Sequence, residues 1–365
     1  MGEGRSYARK PSFGRLTRPS VRLSSISRAG VITSSIAALI GFILAPLEPP
    51  VHMALAGLGG LLAFPLSVYI VFVGSLRGGG PRRGLRALPP VAAVALSILA
   101  ILAVIAGYDA WRPLAVASLL SLTAHVYLEV RVWKRREPRL PLLYPPIAGL
   151  ASLLPEASFT QYMLALALHY AAGMIMVVSP MTFARNYKID PSKPITYTPI
   201  AVNAVSLGIY AAVGPSKMYI LTALASVLTY FYSIKVWRAL PLILQGLSKG
   251  GAGGWALAYG STSHIASLAA MVLASTVYAV GNLDDLIMLH LIAMGFVGVH
   301  VYMYTPLMIP SILRVRVTPT MIPVPPLGMA IASILRPWAP LLSYAFLLAS
   351  TLFLISFFVP SARKG

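Results

Sequence analysis

The chain contains no cysteine among its 365 residues. This absence excludes disulfide bonds, thiolate ligation of haem, cysteine-bound iron–sulfur clusters and cysteine-type zinc sites. Charged residues are also scarce, at 10% of the chain, against about 25% in typical soluble domains. Only nine of them are Asp or Glu, against 29 Lys and Arg. A water-soluble enzyme is therefore excluded, and the dense run of acidic residues expected of a proton pump is missing.

Long apolar runs make up most of the sequence, which is 58% hydrophobic with a mean hydropathy of +0.79. An apolar run of about 20 residues crosses a hydrocarbon core of ~30 Å as a helix. We therefore predict an all-α polytopic membrane protein, with a basic cytoplasmic tail over 1–29, about 12 transmembrane helices within 30–359 and a short cytoplasmic tail over 360–365. The Gly-rich stretch 245–254 is expected to form a loose inner loop. The predicted segments, one to twelve, are 30–47, 51–76, 88–107, 111–133, 140–155, 158–181, 195–213, 217–237, 255–280, 284–310, 320–335 and 338–359.

The net charge of +20 would suit nucleic-acid binding, but its distribution along the chain favours a membrane topology. With both termini inside, 26 of the 29 Lys and Arg fall on the inner side, all except Arg112, Lys217 and Arg336. Such asymmetry is the positive-inside pattern of membrane proteins. We therefore expect a multi-pass protein of the plasma membrane with cytoplasmic termini, whose basic residues meet anionic lipid rather than nucleic acid.

Weak internal similarity relates segments four to six to segments eight to ten. Val130-Arg-Val-Trp-Lys134 ends segment four, and Ile234-Lys-Val-Trp-Arg238 ends segment eight. Leu168-His169 in segment six likewise matches Leu289-His290 in segment ten. A shift of four segments preserves direction through the membrane, so the pattern predicts three parallel four-helix repeats rather than an inverted repeat.

All six histidines lie within these apolar segments, where an imidazole is costly without a partner and is by default a candidate functional group. Three of them, His52, His169 and His290, lie in segments two, six and ten, in register with the repeat. The alternative is that each histidine makes a structural hydrogen bond between helices. Imidazole is a common ligand of haem iron and copper. The candidates for a second metal are His125, His169, His264 and His300.

The histidine positions resemble those of the haem–copper oxidase subunit I superfamily and of its outlying NnrS family of haem- and copper-containing membrane proteins. That superfamily has twelve helices in three four-helix arcs, and its low-spin haem is held by histidines of helices two and ten. The resemblance implies that His52 and His290 bind a b-type haem and that His169 contributes to a copper or iron site. The stretch His290–Gly298, HLIAMGFVG, also resembles helix ten of NnrS-like proteins.

The chain departs from the superfamily pattern at three positions. Segment seven lacks the histidine pair of the copper site, His300 follows His290 by ten residues rather than two, and Tyr170 is adjacent to His169 rather than four residues on. Ten helical residues span ~15 Å, so His290 and His300 cannot bind one metal. The resemblance therefore implies a haem site with a degenerate second site rather than a complete oxygen-reducing centre.

The resulting hypothesis is a membrane haem protein of respiratory or nitrogen-oxide redox chemistry, an oxidoreductase if it is an enzyme, working with respiratory-complex subunits or small redox carriers. Two alternatives stand beside it: a haem-bearing membrane anchor of a larger respiratory complex, and a transporter or permease without a cofactor. The haem hypothesis requires His52 and His290 to face each other, with space left by small residues such as Gly57, Gly295 or Gly298. It also expects His169 to point into the same interior.

Overall fold

A computed structural model of the chain describes residues 21–76, 84–131, 140–281, 283–313, 315–317 and 322–359, and these residues are almost entirely helical. The helices in chain order are α1 Val21–Leu44, α2 Pro49–Leu76, α3 Leu88–Ile105, α4 Trp111–Arg131, α5 Leu140–Ser152, α6 Phe159–Tyr187, α7 Pro194–Val213, α8 Lys217–Ser233, α9 Ala239–Lys249, α10 Gly251–Val280, α11 285–313, α12 Val324–Leu335 and α13 Pro340–Ser356. Short 3-10 turns at Gly84–Ala87 and Val236–Arg238 precede α3 and α9. Two short strands, β1 Arg316–Val317 and β2 Phe358–Val359, pair antiparallel.

The fold class is that of a polytopic α-helical membrane protein. Among the described residues, eight helices are long and apolar enough to cross a membrane, or nine if α8 and the stretch Val236–Lys249, bent by 47° from it, count as one. Three further apolar helices, α5, α12 and α13, are shorter. Each apolar segment predicted from the sequence overlaps one of the helices α1–α8 and α10–α13, because a helix pairs the backbone groups of an apolar segment within the segment itself.

Helix α6 occupies the centre of the bundle, and every residue of its most apolar 18-residue stretch is buried. It contacts both α2 and α11, while the antiparallel pairs α3/α4, α7/α8 and α12/α13 pack around them. Side-chain caps fix where two of the helices in this region begin. The Ser158 hydroxyl and the Gln161 side chain form a reciprocal capping box at α6, and the Asp284 carboxylate accepts from the Ile287 amide at α11.

The three central helices share a local distortion. Each contains a π-helical stretch: Met53–Ala63 in α2, Leu166–Ala171 in α6 and Ala293–Gly298 in α11. Such stretches are rare, and they occur frequently at functional sites. In each helix the distortion includes or lies within three residues of a histidine of the predicted repeat, so the three helices share both a residue type and a backbone feature.

Two stretches predicted to lie outside the helices differ from the prediction. Helix α1 begins at Val21, inside the stretch predicted as a basic tail, while residues 1–20 and the predicted tail 360–365 lie outside the described residues. The predicted loop over 245–254 is wrong, since α9 and α10 leave only Gly250 between them. Gly250 has φ 58° and Gly251 has φ 64°, a conformation that glycine adopts without strain, so the glycines form a tight turn rather than a loose loop.

The hairpin of α9 and α10 depends on a close contact at Gly246. A Cβ atom there would lie 2.6 Å from the Gly254 carbonyl oxygen and 2.8 Å from the Ala258 amide nitrogen, and neither backbone atom can move aside cheaply. We expect Gly246→Ala to destabilise the protein by about 1–3 kcal/mol, the usual effect of overpacking. Gly253→Ala is the matched control, because a Cβ there meets nothing within 4 Å. Thermal unfolding of both variants in detergent would measure the difference, and equal melting temperatures would contradict the expectation.

Candidate functional site

His52 and His290 face each other at the end of the bundle where α2 and α11 begin. His52 directly precedes the π-helical stretch of α2, and His290 lies three residues before that of α11. Their ring centroids are 6.2 Å apart, and the ring planes differ by 15°. The structure therefore brings together two histidines that are 238 positions apart in the sequence.

A backbone carbonyl fixes each of these rings. Nδ1 of His52 lies 2.9 Å from the Gly41 carbonyl oxygen of α1, and Nδ1 of His290 lies 2.7 Å from the Leu286 carbonyl oxygen. A carbonyl only accepts, so Nδ1–H is the donor in both cases, and the lone pair of the neutral ring is on Nε2. Hydrogen bonds of this kind orient metal-binding imidazoles and raise their basicity.

Gly41 makes the first of these bonds available by letting α1 approach α2 closely. A Cβ atom at Gly41 would lie 2.7 Å from the Ala56 amide nitrogen of α2. A side chain here would push α1 away and withdraw the carbonyl from His52. The sequence did not single out this glycine, because only the packing of α1 on α2 shows what its carbonyl contacts.

Both histidines line a cavity of about 450 Å³ between α1, α2, α11, α12 and α13, which Met163 of α6 also reaches. Its volume lies within the ~300–1,000 Å³ typical of small-molecule and cofactor sites. The lining is almost entirely apolar, and it includes the exposed side chains of Ile32, Ile36 and Ile355 on α1 and α13. The cavity therefore reaches the lipid-facing side of the bundle between α1 and α13. The glycines and methionines that line it are Gly57, Gly60, Gly298, Met53, Met163, Met294 and Met329.

Two of the three glycines predicted to make space here line the cavity, and the third has another role. Gly57 and Gly298 are lining residues. Gly295 is not, because a Cβ there would meet Ser333, Met271 and Ala270 of neighbouring helices. Gly295 thus allows α11 to pack against α10 and α12, and the expectation that it opens the cavity is wrong.

Arg336 is a charged residue near the two rings. In the sequence alone, it bears only on the orientation of the chain in the membrane. It follows α12, is partly buried, and lies within electrostatic range of both His52 and His290. Arg336 therefore lies at the same end of the bundle as the paired rings, although it is not among the residues that line the cavity.

The separation of the two rings matches that of two imidazoles bound to one haem iron. Two imidazoles bound to one iron on opposite faces, with Fe–N bonds of ~2.0 Å, place their ring centroids ~6.3 Å apart. The observed separation is 6.2 Å, with an Nε2 lone pair on each ring and an apolar cavity around them. His52 and His290 are therefore the residues that would hold the iron, and the cavity would take the ring.

His169 does not line this cavity, contrary to the expectation that it points into the same interior. Its ring is fully buried, and its Nδ1 lies 2.9 Å from Oδ1 of Asn203 on α7. The ring of Tyr219 is its aromatic neighbour, with centroids 5.6 Å apart. His169 therefore belongs to a separate polar cluster of α6, α7 and α8.

The remaining candidates for a second metal are divided between two places. His264 and His300 meet with centroids 5.4 Å apart, among Tyr187, Tyr230 and several phenylalanines, whereas His125 is buried on α4. Within the described ranges, no group of three or more His, Cys, Asp or Glu side chains could hold a metal ion. Only one pair of these four histidines is thus in contact.

Comparisons with known proteins add no assignment. No family model, no curated protein and no solved structure matches the chain.

Proposed function

We propose that this chain is an integral membrane haem protein that binds one b-type haem between His52 and His290 and serves respiratory or nitrogen-oxide electron transfer. The observation that supports the proposal is the pair of nearly parallel imidazoles, with ring centroids 6.2 Å apart, on the wall of an apolar cavity. A bound haem would supply one-electron chemistry at its iron. The cavity walls would exclude water, and the carbonyls of Gly41 and Leu286 would hold the two rings in the ligating tautomer.

The ligand arrangement favours electron transfer over catalysis at this site. His52 and His290 would both bind the iron, and a haem held by two histidines would supply electron transfer rather than binding of oxygen or a nitrogen oxide. We therefore propose that the protein is an electron carrier or a haem-bearing membrane anchor, which exchanges electrons with partner subunits or small redox carriers. Arg336 would pair with the acidic edge of the porphyrin at the same end of the bundle.

The proposed architecture has twelve spans in the plasma membrane, built as three parallel units of four helices. The units are α1–α4, α5–α8 and α10–α13, and α9 is an inner helix outside the repeat. Two features support this division. The second spanning helix of each unit contains a π-helical stretch, and an antiparallel pair that closes the unit follows it.

Absorbance spectroscopy of the full-length protein, purified from haem-supplied cells, tests the function. The expected result is a Soret band, a haemochrome assay giving one b-type haem per chain, and the electron paramagnetic resonance signal of low-spin iron with two histidine ligands. A colourless preparation without iron would overturn the proposal. It would favour a permease, for which the same cavity, open to lipid between α1 and α13, would be the path of an apolar substrate.

Orientation can be measured directly, because the chain has no native cysteine. With the proposed cytoplasmic termini, a membrane-impermeant maleimide added to intact cells should label Asp109→Cys and Lys217→Cys. It should leave Ser192→Cys unlabelled until the membrane is opened. All three positions are exposed, Asp109 and Ser192 in short connections and Lys217 at the first residue of α8, so accessibility within the protein is matched. Labelling of Ser192→Cys alone in intact cells would reverse the orientation.

A further inference from the structure

A second buried polar cluster lies apart from the haem cavity, and it centres on His169 and Asn203. The amide nitrogen of Asn203 donates to the Leu168 carbonyl oxygen at 3.0 Å and to the Ser226 hydroxyl at 2.9 Å. Since a carbonyl can only accept, these bonds fix which end of the amide is nitrogen. Oδ1 of Asn203 must then face His169 and the Tyr144 hydroxyl, which donates to it.

The orientation of Asn203 determines the tautomer of His169. Nδ1 of His169 faces an oxygen that only accepts, so Nδ1 carries the proton of the neutral ring and Nε2 carries a lone pair. Nε2 is buried and has no hydrogen-bond partner among the residues that the structure describes. The cluster thus holds one imidazole rigidly and leaves its acceptor nitrogen unsatisfied.

Two tyrosines follow His169 in a row of tilted aromatic rings, and their hydroxyls are also unsatisfied. The ring of Tyr219 lies 5.6 Å from that of His169, and the ring of Tyr210 lies 4.9 Å from that of Tyr219. Both hydroxyls are buried, and neither has a hydrogen-bond partner in the part of the chain that the structure describes. Buried polar atoms are seldom left unpaired, and ordered water is their usual partner when protein groups are absent.

The row of rings formed by His169, Tyr219 and Tyr210 runs from the middle of the bundle to one end. His169 lies ten residues into α6, at a depth of ~15 Å, whereas Tyr219 is the third residue of α8 and Tyr210 is near the end of α7. Tyr210 and Tyr219 are both within electrostatic range of Asp285, which accepts from Gln161 at 3.0 Å. Asp285 and Gln161 are partly exposed at that end, which the proposed orientation places outside.

We propose that Nε2 of His169 and the hydroxyls of Tyr219 and Tyr210 bind a chain of internal water molecules that connects the middle of the membrane to the outer surface at Asp285. The His169 lone pair accepts from the innermost water, and each tyrosine hydroxyl exchanges hydrogen bonds with the next. The site is a hydrated half-channel that ends at His169. It shares no residue with the haem cavity and does not depend on a haem being bound.

X-ray radiolysis of the full-length protein in lipid nanodiscs, read by mass spectrometry, tests this proposal, because radicals formed from bound water oxidise the residues beside it. After correction for intrinsic reactivity, Tyr219 and Tyr210 should be oxidised several-fold faster than Tyr69, whose buried hydroxyl donates to the Leu142 carbonyl. His169 should likewise exceed His300, whose Nε2 is already paired with Tyr230. If the two tyrosines and His169 are oxidised no faster than Tyr69 and His300, the proposal is wrong. This outcome can be measured on the native protein alone.

Continuity of the chain is tested by removing the middle hydroxyl. Tyr219→Phe keeps the ring, so the oxidation rate of His169 should fall several-fold while that of Tyr210 persists. Tyr259→Phe is the matched control, since it removes an equally buried hydroxyl that donates to the Tyr302 carbonyl, and it should leave His169 unchanged. Unchanged oxidation of His169 in Tyr219→Phe would show that water reaches His169 by another route, and the half-channel would be wrong.

Discussion

His290→Ala is expected to lower the haem content of the purified protein about tenfold or more and to abolish the low-spin signal of any haem that remains. The substitution removes one of the two proposed iron ligands and leaves only His52 on the opposite side. Even residues that merely orient a metal ligand contribute 10–100-fold to metal affinity, so loss of the ligand itself should cost at least as much. Haem per chain, measured by the haemochrome assay on protein of verified monodispersity, gives the result.

His300→Ala is the matched control for this experiment. It makes the same substitution on the same helix, ten residues further along, in a ring that does not line the haem cavity. Its haem content and low-spin signal should equal those of the native protein. An equal loss in both variants would indicate a general defect of α11, and full retention in His290→Ala would remove the proposed ligand pair.

Filling the cavity without touching either histidine should also remove the haem. A Cβ atom at Gly60 meets nothing within 4 Å, and Gly60 lines the cavity, so the side chain of Gly60→Leu would occupy space that the porphyrin requires. We expect haem content to fall about tenfold, while the melting temperature is maintained or rises. A helical glycine costs about 0.5–1 kcal/mol relative to alanine, and leucine is also a good helix former.

Gly208→Leu provides the control for Gly60→Leu. Gly208 lies in α7, a Cβ there also meets nothing within 4 Å, and the residue is exposed on the surface of the bundle away from the cavity. This variant should keep its haem. Normal haem content in a folded Gly60→Leu protein would mean that the cavity is not the haem site, even if the histidines prove essential.

The sequence predicts that the protein is a membrane protein and where its helices lie, because both properties depend on local composition. The chain is 58% hydrophobic and 10% charged, and an apolar run of about 20 residues can satisfy its backbone groups in lipid by forming a helix. The predicted segments 158–181 and 284–310 each begin one residue before the first residue of the corresponding helix, α6 or α11, and cover most of that helix. The prediction was wrong over 245–254, which was expected to form a loop because it is polar and rich in glycine. Glycine also permits close helix packing, and Gly246 lets α9 and α10 pack in close contact.

The histidines show where sequence reasoning ends. Register with a repeat was sufficient to nominate His52, His169 and His290, because an imidazole in an apolar segment needs a partner wherever it lies. Which partner it has depends on how the helices rotate and approach one another. Tertiary structure alone pairs His52 with His290, gives His52 the Gly41 carbonyl of another helix, and turns His169 towards Asn203 and away from the cavity. Contacts between groups that are tens to hundreds of residues apart are set by packing, and no local pattern in the chain encodes them.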